Sequence, residues 1–397
     1  MNAAFGLEVL DRALDGGLKR PSSLLLYSEV LAEKCTFAEL FVVAGLRGGE
    51  TCLYMDLYRS PRLARREFAK FGEIPQERLV VTGVPASSDG RSGGTFGVEG
   101  VPEPEAILAS LRDVLEEKRP HRVILDSLDL LAEQLSPSAF ESFMEEFLGA
   151  TTASGAVAGL LFVEWSYHNG QVPALLDQSD YRIEFRCTVQ EGALLHKLRF
   201  RQGGEDPRVT RWIPFGLREG HGLVLRFPRV LVVGLPGSGK SSFVRAAAQS
   251  AEGTEPAGGG VAFDYGRADG RGVEVELLGL PGQKRFAFLL PVSARGTLGL
   301  FLVVDSTMPE ELEEATELRN LVGSDIPAVV VANKRDLDDP MPVEEIQEGV
   351  SEGDHVPVVE VVASEGRGVR TALETLIDLM VWGGPRPRPS LQAEEIK

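Results

Sequence analysis

The octapeptide Gly234-Leu-Pro-Gly-Ser-Gly-Lys240-Ser241 restricts the fold more than any other part of the chain, because G-x-x-x-x-G-K-[ST] works only between a strand and a helix. The apolar run 229–233 before it and the amphipathic stretch 240–251 after it supply both. Gly234, Gly237 and Gly239 let backbone N–H groups turn inward around phosphates, and the helix N-terminus adds positive potential. In such a cradle Ser238 and Ser242 line the turn, Lys240 reaches the outer phosphates and Ser241 ligates Mg2+. The other reading is an ordinary glycine turn capping a helix, and the strand and helix on either side count against it.

Phosphate binding does not choose a base. Asn333-Lys334-Arg335-Asp336 follows the apolar run 327–332, and an aspartate at 336 can accept from both the ring N–H and the exocyclic amine of guanine. Adenine lacks that pair of donors. N-K-x-D alone is unremarkable among surface residues. Its place at the end of a later strand of the same unit gives it weight. Ala363 and Ser364 follow the run 356–362 and stand just ahead of Gly366 and Gly368.

A chain of 397 residues is long enough for two domains, each with its own core. Runs at 23–28, 51–57, 78–82, 122–126 and 157–164 alternate with amphipathic stretches, the grammar of a mainly parallel sheet covered on both faces. Runs 180–186 and 194–201 read as a closing strand pair, and 202–222 as a polar, turn-rich link. The grammar restarts with strands at 229–233, 273–278, 298–304, 327–332 and 356–362. Helices are expected at 240–251, 309–322, 343–350 and 368–381, with Pro309 in a first turn. Domains are therefore expected at 1–226 and 227–383, followed by a flexible, proline-bearing tail at 384–397.

The net charge of −18 opposes a nucleic acid or anionic membrane partner, which would need clustered Lys and Arg. Cys35, Cys52 and Cys187 are too few and too scattered for a disulfide framework or a zinc ribbon, which fits a reducing compartment. No segment reaches the ~18 apolar residues of a membrane span, and no signal-peptide pattern opens the chain. The expectation is a soluble, unprocessed, cytoplasmic protein.

The second half resembles the Ras-like small GTPases through four motifs in that family's order. These are the phosphate loop, Leu280-Pro281-Gly282-Gln283, Asn333 to Asp336, and Ala363-Ser364. It is closer to the Arf-like prokaryotic branch, related to MglA and the signal recognition particle receptor beta subunit. Phe263-Asp264-Tyr265-Gly266 and the stretch from Leu278 to Phe286 carry that likeness. The resemblance implies a doubly wound sheet binding GTP or GDP with Mg2+. Gln283 would orient the attacking water, and the Gly282 N–H would contact the γ-phosphate. Gly279 stands where most of the family has an aspartate near Mg2+, and Gly258 to Gly260 lie where a switch threonine is expected. Slow turnover follows from both departures, with Thr254 or Ser250 as candidate substitutes for the threonine. The glycine run reads equally as a plain surface loop.

The first half resembles KaiC-like and RecA-like ATPase domains through Phe5 to Asp11, Gly16-Gly17-Leu18 and the run 23–28, which implies a three-layer α/β sandwich. Where that family has a phosphate loop, this chain has Ser28-Glu-Val-Leu-Ala-Glu-Lys34-Cys35, without glycine and with Glu29 and Glu33. Tyr58 and Arg59 occupy the places of the family's paired catalytic glutamates. Asp126 ends a Walker B-like strand, as a metal contact or as a structural cap. The combined expectation is two P-loop NTPase-type α/β domains, the first degenerate and the second a slow GTP-hydrolysing switch. A protein effector or regulator and self-association are the expected partners. The alternative is a non-hydrolysing scaffold that holds guanine nucleotide, and an ATPase working through the first domain is a third reading.

Overall fold

The computed structural model describes residues 2–28, 34–83, 103–164, 175–176, 178–190, 193–204, 207–218, 222–248, 250–253, 263–283, 288–323, 325–350 and 356–383. Glu29, Glu33, Thr254, Gly258 to Gly260, Lys284 to Phe286 and the tail at 384–397 lie outside them, as does the side chain of Ser250. The chain divides into two compact units, Met1–Val224 and Leu225–Lys397.

In the first unit the strands are β1 (Ser22–Ser28), β2 (Cys52–Asp56), β3 (Leu79–Gly83), β4 (Arg122–Asp126) and β5 (Val157–Val163), then β6 (Tyr181–Gln190), β7 (Ala193–Gln202), β8 (Arg208–Val209) and β9 (Ile213–Arg218). Their order is β9-β7-β6-β1-β5-β4-β2-β3, and every pairing from β6 to β3 is parallel. Parallel strands buried on both faces need continuous apolar sequence, and β2 and β4 are buried at every position. Alternate residues divide between the two faces. Leu25, Leu53, Met55, Leu125 and Phe162 join a core with helices Pro104–Lys118, Leu128–Gln134 and Pro137–Ala153. On the other face Phe185 meets Phe37 of helix Lys34–Arg47 edge-on at 5.6 Å, and Tyr54 meets Phe68 at 5.4 Å. This is a three-layer sandwich.

Residues 202–222 are more than a link. Ile213 and Phe215 are buried, and β9 pairs with β7 through His196 and Leu198. Glycines and charges around two short apolar runs hid those strands from the pattern reading.

The second unit contains β10 (Gly222–Val233) from its fourth residue on, β11 (Ser250–Gly253), β12 (Asp264–Gly270), β13 (Val273–Gly279), β14 (Gly299–Asp305), β15 (Ala328–Asn333) and β16 (Val358–Glu360). From Leu225 onward β10 pairs with β13 and β14, giving the order β11-β12-β13-β10-β14-β15-β16. The edge pairs β11–β12 and β12–β13 are antiparallel, and the rest are parallel. One face packs on helices Leu312–Val322 and Val343–Val350, and Phe301 on the other meets Phe243 of helix Lys240–Ala247 at 4.9 Å. Helix Val369–Trp382 lies so close to β14 that a Cβ on Gly299 would stand 2.6 Å from Met380 Sδ.

Several predicted boundaries move. The strand expected at 229–233 begins at Gly222. The helix expected at 240–251 ends at Ala247, where Ala248 turns extended and residues 250–253 form an edge strand. The strand expected at 356–362 shortens to Val358–Glu360.

Candidate nucleotide site

The second unit gathers its loops at the carboxyl ends of parallel strands, the position where open α/β sheets bind ligands. Gly234, Gly237 and Gly239 have φ of 155°, 84° and 96°, so the loop after β10 takes left-handed turns at Gly237 and Gly239 that favour glycine. Gly234 also passes against the sheet: a Cβ there would lie 2.2 Å from Val303 O. Lys240 opens the helix, is buried, and donates to Leu235 O at 2.7 Å within the loop. Burial pushes its ammonium down to about 8, partly offset by the charges of Asp264 and Glu311. Ser241 Oγ donates to Asp264 Oδ2 at 2.6 Å. Ser238 is buried and Ser242 is half-buried in the first turn.

Asn333 joins three loops. Its Nδ2 donates to Ser238 O at 2.8 Å, and its Oδ1 accepts from Ala363 N at 2.9 Å. A Cβ on Gly239 would stand 2.1 Å from that Nδ2, so the loop must be glycine where Asn333 crosses it. Lys334 has φ of 64° and places its ammonium 2.5 Å from Asp305 Oδ2. Burial opposes ionisation of Asp305, but hydrogen bonds from Lys334 and Thr307 outweigh it and hold the carboxyl below its ordinary value. Asp336 and Ser364 are exposed on the same rim. Gly282 approaches the cradle so closely that a Cβ would lie 2.4 Å from Gly234 O and 2.7 Å from Lys240 Nζ. Gln283 follows it, exposed. The chain thus brings together the phosphate loop, Gly282, the Asn333 to Asp336 loop and Ala363. Asp264 and Asp305 were not singled out from sequence. Asp264 opens a polar strand and Asp305 ends an apolar one, signals that ordinary caps share.

The corresponding edge of the first unit is arranged differently. Arg59 Nε lies 2.6 Å from Asp56 Oδ2 at the end of β2, and its NH2 group 3.2 Å from Asp126 Oδ2 at the end of β4. Tyr54 donates to the same Asp126 oxygen at 2.5 Å. Burial, then the neighbouring Asp126 charge, pushes the Asp56 carboxyl up. Lys34 is buried at the start of its helix, with its ammonium 4.0 Å from Asp129 Oδ1.

A phosphate loop at a switch point of a doubly wound sheet, tied by Asn333 to the loop at Ala363, defines a P-loop nucleotide-binding domain. Comparison with known proteins narrows the class. Residues 229–381 match the Ras family, and residues 3–172 match the KaiC ATPase family. The chain is a fusion of a KaiC-type domain and a Ras-type domain. It is 38% identical over 124 residues to mouse ADP-ribosylation factor-like protein 10, covering 30% of this chain and 50% of that protein. It is 27% identical over 135 residues to the circadian clock protein KaiC3 of Synechocystis, covering 34% of this chain and 27% of that one. These matches span half or less of each relative. A KaiC-like protein from Pyrococcus horikoshii of known structure aligns with a TM-score of 0.45 and 18% identity, over 57% of this chain and 98% of that one. Among the described residues no helix is long and apolar enough to cross a membrane.

Proposed function

We propose that the Ras-type domain is a guanine-nucleotide switch that hydrolyses GTP slowly to GDP and phosphate, and that the KaiC-type domain is its non-catalytic platform. The observation that carries this reading is Asn333, which ties the phosphate loop to the Ala363 loop and sets Asp336 on the same rim. In this reading the cradle for phosphate and the carboxylate for the guanine edge stand on loops that Asn333 joins. In this reading the loop N–H groups from Gly237 to Ser242 hold the phosphates, and Lys240 exchanges the Leu235 carbonyl for a phosphate oxygen. Asp336 accepts from the guanine N–H pair, with Lys334 and Ala363 flanking the base. Gln283 orients a water for in-line attack on the γ-phosphorus, and Gly282 offers its N–H to a γ-oxygen.

The Ser241 hydroxyl beside a carboxylate is an all-oxygen donor set, the chemistry Mg2+ accepts. Bound there, Mg2+ would neutralise charge on the outer phosphates.

The platform role rests on Arg59, which neutralises the two strand-end carboxylates Asp56 and Asp126 with a fixed internal cation. A strand-end aspartate engaged by arginine and tyrosine is poorly placed to take a metal. The switch would act in the cytoplasm on a protein effector or regulator, with self-association through either domain and without nucleic acid.

Replacing Gln283 by Leu should remove steady-state phosphate release while leaving GDP affinity within a few-fold of wild type. Turnover by Gln283→Leu at the wild-type rate contradicts the assignment of that residue. Gly279, in the place of a metal-side aspartate, favours a second reading, in which nucleotide is held without turnover. Wild-type protein that binds GTP and releases no phosphate over hours supports it.

A further inference from the structure

The aspartate missing at 279 has a spatial counterpart one strand away. The antiparallel pairing of β12 and β13 sets Asp264 directly opposite Gly279. A Cβ on Gly279 would lie 2.9 Å from Asp264 Cβ and 3.3 Å from its Oδ2. The side chain of Asp264 therefore fills the space that a side chain at 279 would take. Its carboxylate is directed at the phosphate-loop helix, where it accepts from Ser241 Oγ at 2.6 Å.

We infer that Asp264 is the metal-side carboxylate of this nucleotide site, standing in from the neighbouring strand for the aspartate that the end of β13 lacks. The inference rests on the guanine-nucleotide reading above and names the residue that completes its Mg2+ side. Ser241 is the hydroxyl expected to ligate Mg2+, so a carboxylate within hydrogen-bond distance of it faces the same ion. The two arrangements exclude one another. An aspartate at 279 beside Asp264 would force two Cβ atoms to 2.9 Å and set two carboxylates against each other at the sheet edge. Glycine at 279 is thus the steric condition for Asp264 to reach Ser241. A purely structural role for Asp264, capping Ser241 at the start of the helix, would fit the same hydrogen bond but would be indifferent to metal.

The test is the release rate of a fluorescent GDP from the full chain, followed across a Mg2+ titration from EDTA to millimolar metal. It is run on wild type, on Asp264→Asn, and on the exchanged pair Asp264→Gly with Gly279→Asp. The Mg2+ concentration that half-maximally slows release should rise about 10- to 100-fold in Asp264→Asn, the usual penalty for losing a carboxylate beside a metal. The exchanged pair should recover most of that shift. A wild-type midpoint in Asp264→Asn overturns the inference, as does a release rate altered at every Mg2+ concentration with an unmoved midpoint. Wild-type GDP release that ignores Mg2+ overturns it while sparing the guanine-nucleotide reading. Wild type that binds no GDP overturns both. The nearly isosteric asparagine variant decides alone, and the exchange shows that the two positions serve one purpose.

Discussion

Lys240 carries a pH signature that can be worked out in sign. Its ammonium is buried in the free domain, which pushes it from 10.5 down to about 8. The charged form therefore costs stability below about pH 8, and that cost is relieved as pH rises from about 8 to 10.5. Phosphate oxygens favour the charged form, so the nucleotide complex holds its proton to higher pH than the free domain. Above about pH 8 binding must take up a proton, and GDP affinity should fall by about tenfold per pH unit until the lysine of the complex titrates. Calorimetric titration between pH 7 and 9.5 in buffers of different ionisation enthalpy measures both affinity and proton uptake. An affinity that stays flat, with no proton taken up, contradicts the role given to Lys240. The residues of this site were readable from spacing because backbone geometry dictates them. Glycine is required where φ is 84° at Gly237 and 96° at Gly239, and lysine and serine must open the helix. Asp264 was not readable as a site residue, because its relation to Ser241 depends on the register between two antiparallel strands.

Elements set what each strand end can do. In the KaiC-type domain, β2 and β4 lie side by side with Asp56 opposite Asp126, so two carboxylates meet at one edge of the sheet. Arg59, in the turn after β2, lies across both. Replacing Arg59 by Ala leaves those carboxylates facing each other and should destabilise the domain by about 3 kcal/mol. A melting curve of the full chain should show the loss in the transition of this domain, and an unchanged transition argues that the ion pairs contribute nothing. Parallel strands were legible as elements because burial on both faces demands unbroken apolar runs, as in Ala328–Asn333. Two antiparallel strands were not: Asp264–Gly270 contains two aspartates and two glycines, and Ile213–Arg218 carries a proline and a glycine. Strand preference is set by pairing and packing context more than by the backbone itself, so sequence preference says little about such strands.

For the whole molecule, the strand–helix grammar and the two family resemblances were enough to indicate two P-loop-type folds in series, and the family matches at 3–172 and 229–381 agree with that order. What the pattern could not convey is what fills the glycine-free edge of the first domain. The second domain presents glycine turns, a buried lysine and a hydroxyl beside a carboxylate. The first closes its edge with Arg59. The central claim is therefore that nucleotide binding belongs to the second domain and selects guanine. Equilibrium binding of GDP and ADP, with Mg2+, to the full chain and to its Lys240→Ala and Asp336→Asn variants tests this most directly. The account predicts that GDP binds wild type, that ADP does not, and that each substitution weakens GDP by at least about tenfold, consistent with loss of a charge-assisted contact. ADP binding equally to wild type and both variants would place the working site in the first domain and contradict the account.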